Sequence, residues 1–362
     1  MRAAVLHEIG SDKLDLPDDV STIDVGPGEV RIKIMASGIC HSDVSAMDGT
    51  LPTMAPAVVG HEGAGEIVEV GPGVAHLAPG DHVTVSFVPP CGNCPDCHRG
   101  EPNLCAVHAV EAFTVPRFRL GESRLFGLSG LGTFADEIVI PAVGAVKVDP
   151  DVPFETAALI ACGVLTGVGS VLNTAQVKPG STVLVYGCGG VGISVIQGAR
   201  IAGATTIVAV DPVEAKHDVA RRFGATHATT PDGVEELKQQ LTAAQGFDYA
   251  FDVVGSPGTI RAGWDHVRRG GSVIVVGAGK ADAMVQFSAQ ELFLHDKKIL
   301  GSLYGSAHIQ RDTAAMLRFW RAGMLDLDGM ISKRIGFDDL NAGLDVLRSG
   351  SSDVIRQVVS FD

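Results

Sequence analysis

The chain of 362 residues predicts an α/β protein: a doubly wound parallel sheet joined to a second, β-rich domain. Two observations carry this. Beyond residue 163, continuous apolar runs typical of strands buried on both faces alternate with helix-like stretches. Before it, short alternating runs are broken by Gly/Pro turns, as in GPGEVRIKIMASG, GEIVEVGPGV and PGDHVTVSF. The length agrees, since roughly 150 residues per domain gives about two domains. The expected division is 1–163 with 304–362 for the β-rich domain and 164–303 for the parallel sheet.

The parallel domain opens with STVLVYGCGGVGISVIQGARIAGATTIVAVD. TVLVYG reads as a buried strand, and Gly187, Gly189 and Gly192 form G-x-G-x-x-G, with Gly190 and Val191 between them. A helical pattern follows, then a second strand, TTIVAV, ending at Asp211. Glycines here allow a tight turn, close approach of a pyrophosphate and close helix–strand packing. The helix N-terminus supplies free N–H groups and partial positive charge for phosphate oxygens. Asp211 can accept from both ribose hydroxyls and repels a 2′-phosphate, which favours NAD(H) over NADP(H). Strand, glycines, helix, strand and acid in this order point to a dinucleotide fold. Lys216 is either a ribose contact or a solvated helix lysine, and Cys188 is filler. Further strands are expected at FDYAFDVVG (247–255), GSVIVVG (271–277) and KKILGSLYG (297–305), with a helix over 213–225.

Composition narrows the function. The chain is 46% hydrophobic and 19% charged, which excludes a disordered chain. Its formal net charge of −14 argues against nucleic acid, which needs a basic footprint. The most apolar stretch, Val183 to Val210, is interrupted by glycines and Arg200. It reads as strand, loop and helix and not as a membrane span. MRAAVLHEIG lacks the apolar run of a signal peptide, so a cytoplasmic location is expected.

Seven cysteines argue against a disulfide framework in an unexported chain. Cys91, Cys94, Cys97 and Cys105 fall in CGNCPDCHRGEPNLC, spaced C-x2-C-x2-C-x7-C. Four thiolates on short Gly/Pro-rich turns suit a closed, tetrahedral structural Zn²⁺. Some iron–sulfur runs share such spacing, and four unligated thiols are the bland alternative. His98 reads as a solvated loop residue. Cys40 in SGICHSD, His61 and Glu62 in VVGHEGAGEIVEVG, and Cys162 in ALIACGVLTG are also set off by glycines. A Cys/His/Cys set would leave one zinc position open for substrate, but spacing alone does not join residues 40, 61 and 162.

Taken together, GHEGAGEIVEVGPGV, the four-cysteine loop and GCGGVG with its downstream Asp resemble the zinc-containing medium-chain alcohol dehydrogenases over essentially the full chain. The resemblance implies a GroES-like catalytic domain split around a Rossmann domain. It implies Cys40, His61 and Cys162 as ligands of a catalytic zinc, with Glu62 as an acid just behind the ligands or a transient ligand. Asp43 is then the acid that orients the histidine, and Ser42 the hydroxyl that takes the alcohol's proton. His41, Thr166, Val191 and Arg356 match positions that touch NAD. Polyol and threonine dehydrogenases usually carry Glu where Cys162 stands, and zinc-free quinone reductases lack the ligands, so both are disfavoured.

Two departures stand out. Liver-type members end the proton relay in a histidine where this chain has Ser45, so proton release is expected through water or the ribose. His41 replaces an arginine that faces the pyrophosphate. NADH affinity is therefore expected to fall as pH rises through its titration.

By the same resemblance, Leu51, Phe87, Val110 and Leu303 are expected to line an apolar substrate pocket. A medium-chain, terpenoid or aromatic primary alcohol is favoured, and Leu51 stands where glutathione-dependent members carry an acid. The segment 106–134 is long, as in the family's dimeric members, so the resemblance implies a homodimer. The alternatives are the same chemistry on tightly held, non-exchanging NAD(H) that needs an artificial acceptor, and a scaffold that kept the fold without activity.

Overall fold

The computed structural model describes residues 1–351 and 353–361. The chain divides into two units. One comprises Met1–Cys162, His308–Leu317 and Leu327–Asp362; the other comprises Gly163–Ala307 and Arg318–Asp326.

The first unit is built on β-sheets. Its central strand, Glu29–Ile39, alternates buried and part-exposed residues until Ala36, where every residue becomes buried. It pairs antiparallel with Glu62–Val70, Glu137–Pro141 and Arg356–Ser360. Ile32, Ile34, Ile67, Ile138 and Val359 from these strands share one core with Phe118, Leu131 and Phe134. The last strand comes from the C-terminus, so the sheet is closed by residues far away in sequence.

The second unit carries six parallel strands: β1 (Thr182–Tyr186), β2 (Thr206–Val210), β3 (His227–Thr229), β4 (Phe247–Asp252), β5 (Val267–Val275) and β6 (Lys298–Gly301). Their order is β3-β2-β1-β4-β5-β6. The order reverses direction beside β1, the switch point at which doubly wound sheets bind ligands. The expected doubly wound sheet is present, and Val183–Val210 is strand, loop, helix and strand.

Several expected elements have other limits. The 247–255 strand stops at Asp252, whose carboxylate accepts from the N–H groups of Val254 and Gly255 and turns the chain. The 271–277 strand starts earlier, at Val267. The 297–305 strand ends at Gly301, because Tyr304 (φ 54°), Gly305 (φ 65°) and Ser306 (φ 49°) adopt left-handed backbone that cannot continue a strand. The helix expected over 213–225 is Ala215–Arg222. Among the described residues, one helical run, Phe154–Ala175, is long and apolar enough to cross a membrane, and 83% of its apolar stretch is buried within the protein.

Candidate active site and nucleotide loop

Neighbouring strands deliver the first site. Cys40 follows Ile39 at the end of the central strand and caps the helix His41–Met47. Its N–H donates to Asp43 Oδ2 at 2.9 Å. His61 directly precedes the adjoining strand, in which Glu62 lies opposite Gly38. Arg356 opens the strand on the other side, where Gln357 lies opposite Ile39. A Cβ on Gly38 would come within 3.0 Å of Arg356 Nη2 and closer still to Glu62. The missing side chain at 38 thus lets Glu62 and Arg356 meet as a buried ion pair over the central strand. Cys162 comes from a π-helical turn, Ile160–Val164, a distortion that often marks functional positions.

The donor atoms of Cys40, His61, Glu62 and Cys162 lie within 4.8 Å of one another, and all four residues are buried. Asp43 and His61 are both fully buried, and His61 Nδ1 donates to Asp43 Oδ1 at 2.8 Å. A carboxylate only accepts, so Nδ1 carries a proton, and a metal that displaces any proton on Nε2 would meet that nitrogen's lone pair. That Nε2 is buried and has no hydrogen-bond partner among the described residues. An imidazole nitrogen left bare beside two thiols and a carboxylate is the donor set of zinc.

The electrostatics agree. A hydrogen bond with Cys162 holds the Cys40 thiol well below the ordinary thiol range, against the effect of burial, and His61 and Arg356 lower it further. Burial pulls the His61 ring down, but the charge and hydrogen bond of Asp43, with Cys40, raise it to about 10. Metal binding would therefore release protons from this cluster.

The other cysteines make a second group. Cys91, Cys94, Cys97 and Cys105 place their sulfurs within 4.8 Å of one another. A tetrahedron with ~2.3 Å Zn–S bonds separates its sulfurs by about 3.8 Å. Cys94 lies 3.5 Å from Cys97 and 3.9 Å from Cys105. The N–H groups of Asn93 and Cys94 point at Cys91 Sγ, and that of Cys91 at Cys105 Sγ. His98 ends the short helix Pro95–His98, outside the donor group.

In the second unit, Gly187 (φ 100°) turns the chain out of β1, and the helix Gly190–Ile201 begins after Gly189. A Cβ on Gly192 would sit 1.9 Å from the Gly187 carbonyl oxygen, whereas Gly189 has open space around it. Close packing is thus required at 192 and room for a phosphate is provided at 189. Asp211 is held at several points. Its carboxylate accepts from the N–H groups of Cys188 and Val213, each at 2.9 Å, and its carbonyl accepts from His217 Nε2 at 2.8 Å. Lys216 Nζ stands 3.9 Å from its Oδ2.

The remaining expected residues fall as follows. The Ser42 hydroxyl lies 3.8 Å from Cys40 Sγ, Ser45 is buried, and His41 is exposed. The Phe87 ring packs edge-on against His61, with centroids 5.1 Å apart. Leu51 is half-buried, its N–H bonded to the Ser45 carbonyl. Val110 is 60% exposed on the helix Ala106–Thr114. Thr166 and Val191 are half-buried in the second unit, where Leu303 is exposed. Arg356, expected at the cofactor, is 5% exposed and engaged with Glu62. Sequence reasoning missed Gly38, whose only signal was a glycine inside a strand pattern.

Comparison with known proteins agrees with this geometry. Residues 26–150 match the alcohol dehydrogenase GroES-like domain, and residues 190–321 match the zinc-binding dehydrogenase family. The NDMA-dependent alcohol dehydrogenase of Amycolatopsis methanolica is 39% identical, covering 99% of this chain and 98% of its own. The crystal structure of benzyl alcohol dehydrogenase from Acinetobacter calcoaceticus superposes with a TM-score of 0.91 at 31% identity, over 100% of this chain and 99% of its own. Acetophenone reductase from Geotrichum candidum, solved in complex with NAD, gives 0.82 at 28% identity, over 99% and 97%. The chain belongs to the zinc-containing medium-chain alcohol dehydrogenases.

Proposed function

We propose that the protein is an NAD-dependent dehydrogenase that interconverts primary alcohols with apolar bodies (medium-chain, terpenoid or aromatic) and their aldehydes. The observation that carries this is the buried, unpartnered Nε2 of His61 within 4.8 Å of the Cys40 and Cys162 sulfurs. These three residues would hold zinc, which when bound would supply the Lewis acidity that makes an alcohol proton acidic near neutral pH. Asp43 fixes the histidine tautomer that donates to the metal. Glu62, drawn to Arg356, serves as a nearby acid and not as a permanent ligand. Ser42 accepts the alcohol proton. Ser45 offers no base to continue the relay, so the proton leaves through solvent or the ribose. The glycine loop would hold the NAD pyrophosphate and Asp211 the adenosine ribose, with Lys216, His41, Thr166 and Val191 as further contacts. The solved relative with bound NAD supports this choice of cofactor. Leu51, Phe87, Val110 and Leu303 are proposed as apolar contacts of the substrate, and Leu51 disfavours a glutathione adduct.

We read the enzyme as a cytoplasmic homodimer paired along the β6 edge, where Ile299 is exposed; Phe293 and Leu294 are exposed on the preceding helix, Ala289–His295. In this reading the catalytic domain is the first unit and the nucleotide domain the second; against the expected 1–163 with 304–362 and 164–303, residues 163, 304–307 and 318–326 fall in the second unit. A second reading keeps the same site but holds NAD(H) without exchange, and the kinship to an NDMA-dependent enzyme favours it. Metal analysis, an absorbance spectrum and turnover of a primary-alcohol panel test both. Two zincs per chain, no 340 nm band and turnover on added NAD support the first reading. A 340 nm band that survives dialysis, with turnover only on NDMA, supports the second. One zinc per chain removes the mechanism.

A further inference from the structure

Beside the four-cysteine group, the first unit contains a cavity of about 400 Å³, within the size range of small-molecule sites. Its walls include Cys91, Val107, His108, Arg117, Ser129 and Val143. The Arg117 side chain is 4% exposed, pairs with Glu29, and keeps a buried Nε that meets no acceptor among the described residues. Burial, aided by the Arg117 charge, lowers His108 to about 4, so its ring is neutral near pH 7. Arg117 and Glu29 compensate each other, and what remains, Glu111 and Cys91 as a zinc-bound thiolate, adds only negative charge. An anion finds no free positive group here. The chemistry fits a neutral molecule with a hydroxyl or carbonyl and a short apolar body.

The polar wall of this cavity also touches the active site. Ser129 Oγ donates to the Phe87 carbonyl at 2.8 Å and lies 3.4 Å from His108 Nε2. Ser129 holds a left-handed φ of 55°, uncommon for a residue with a Cβ. The Phe87 ring in turn packs against His61.

We propose that this cavity is a second small-molecule site. It takes neutral alcohols or aldehydes, and its occupancy changes turnover by shifting Phe87 against His61. The kinetic half rests on the proposed alcohol dehydrogenase activity; the binding half does not.

A tertiary alcohol, 2-methyl-2-butanol, is a suitable probe, since its carbinol carbon has no hydrogen to transfer. Val143 is 38% exposed and Val107 40%, so Val143→Phe and Val107→Phe fill the cavity from its rim. Titration of the zinc-loaded protein followed by NMR is expected to give two sites per chain in the wild type and one in either variant that keeps the wild-type melting temperature. In turnover of a primary alcohol, the probe is expected to change the wild-type kcat at least about twofold, and both variants to show competitive inhibition only. One site in the wild type, or two sites persisting in both variants, overturns the proposal. A wild type with two sites but no oxidation of any alcohol overturns the kinetic half together with the proposed function and leaves the cavity assigned.

Discussion

Asp43→Asn tests how the first site is prepared for metal. Asp43 accepts twice, from His61 Nδ1 at 2.8 Å and from the Cys40 N–H at 2.9 Å, in a fully buried setting. Asparagine has the same shape but only one accepting oxygen. If that oxygen faces His61, the amide NH2 meets the Cys40 N–H, and two donors oppose each other. If it faces Cys40, the NH2 meets Nδ1, and the imidazole proton moves to Nε2, the atom needed for zinc. Either orientation loses one charge-assisted hydrogen bond, about 1.5–3 kcal/mol. Loss of such an orienting partner typically lowers metal affinity about 10–100-fold. The assay is competition of the zinc-loaded protein with a chelator of known affinity, with metal content measured alongside. The variant is expected to release one zinc per chain in that window more easily than the wild type, while the four-cysteine zinc is unchanged. Equal retention of both zincs would refute the tautomer argument.

Other predictions follow from single contacts. Gly192→Ala puts a Cβ 1.9 Å from the Gly187 oxygen, and the helix must move away from β1. A loss of at least about 1–3 kcal/mol is expected, read by thermal melting together with NADH fluorescence, and an unchanged melting temperature would count against it. Arg356→Leu removes the guanidinium from a fully buried Glu62, which should cost about 3–5 kcal/mol in denaturant unfolding. Adding Glu62→Gln should recover part of that loss, and strict additivity would contradict the pairing. His108 has a folded pKa of about 4 against an ordinary 6.5, so the unfolded chain binds the extra proton first. Its contribution is complete above pH 6.5 and falls by about 3 kcal/mol as pH drops to 4. His108→Leu should flatten the stability–pH curve over that window, and identical slopes in the two proteins would exclude this. Cys188 is buried and its thiol is pushed up to about 12, burial acting first and Asp211 second. Iodoacetamide at pH 8 should therefore leave it unlabelled in the native protein, as mass spectrometry of the peptides would report.

The sequence was most readable where function is local. The glycine loop and Asp211 follow one another along a strand, a turn and a helix, so spacing alone implies their geometry. The four-cysteine group closes within fifteen residues on short turns, and that too is a statement about neighbours in sequence. The first site is different in kind. Cys40, His61 and Cys162 come from the end of a strand, the start of another and a π-helical turn, and no periodicity connects them. Only family resemblance joined them before the structure was known. No sequence pattern announced the pairing of Arg356 with Glu62, 294 residues away, which the glycine at 38 and the C-terminal strand bring about. A pairing of that kind depends on which strand lies beside which, and strand order is a property of the closed sheet. The same holds for Val110. Its helix is set by the turn after Cys105, but whether its apolar face is covered depends on packing that helical spacing does not encode.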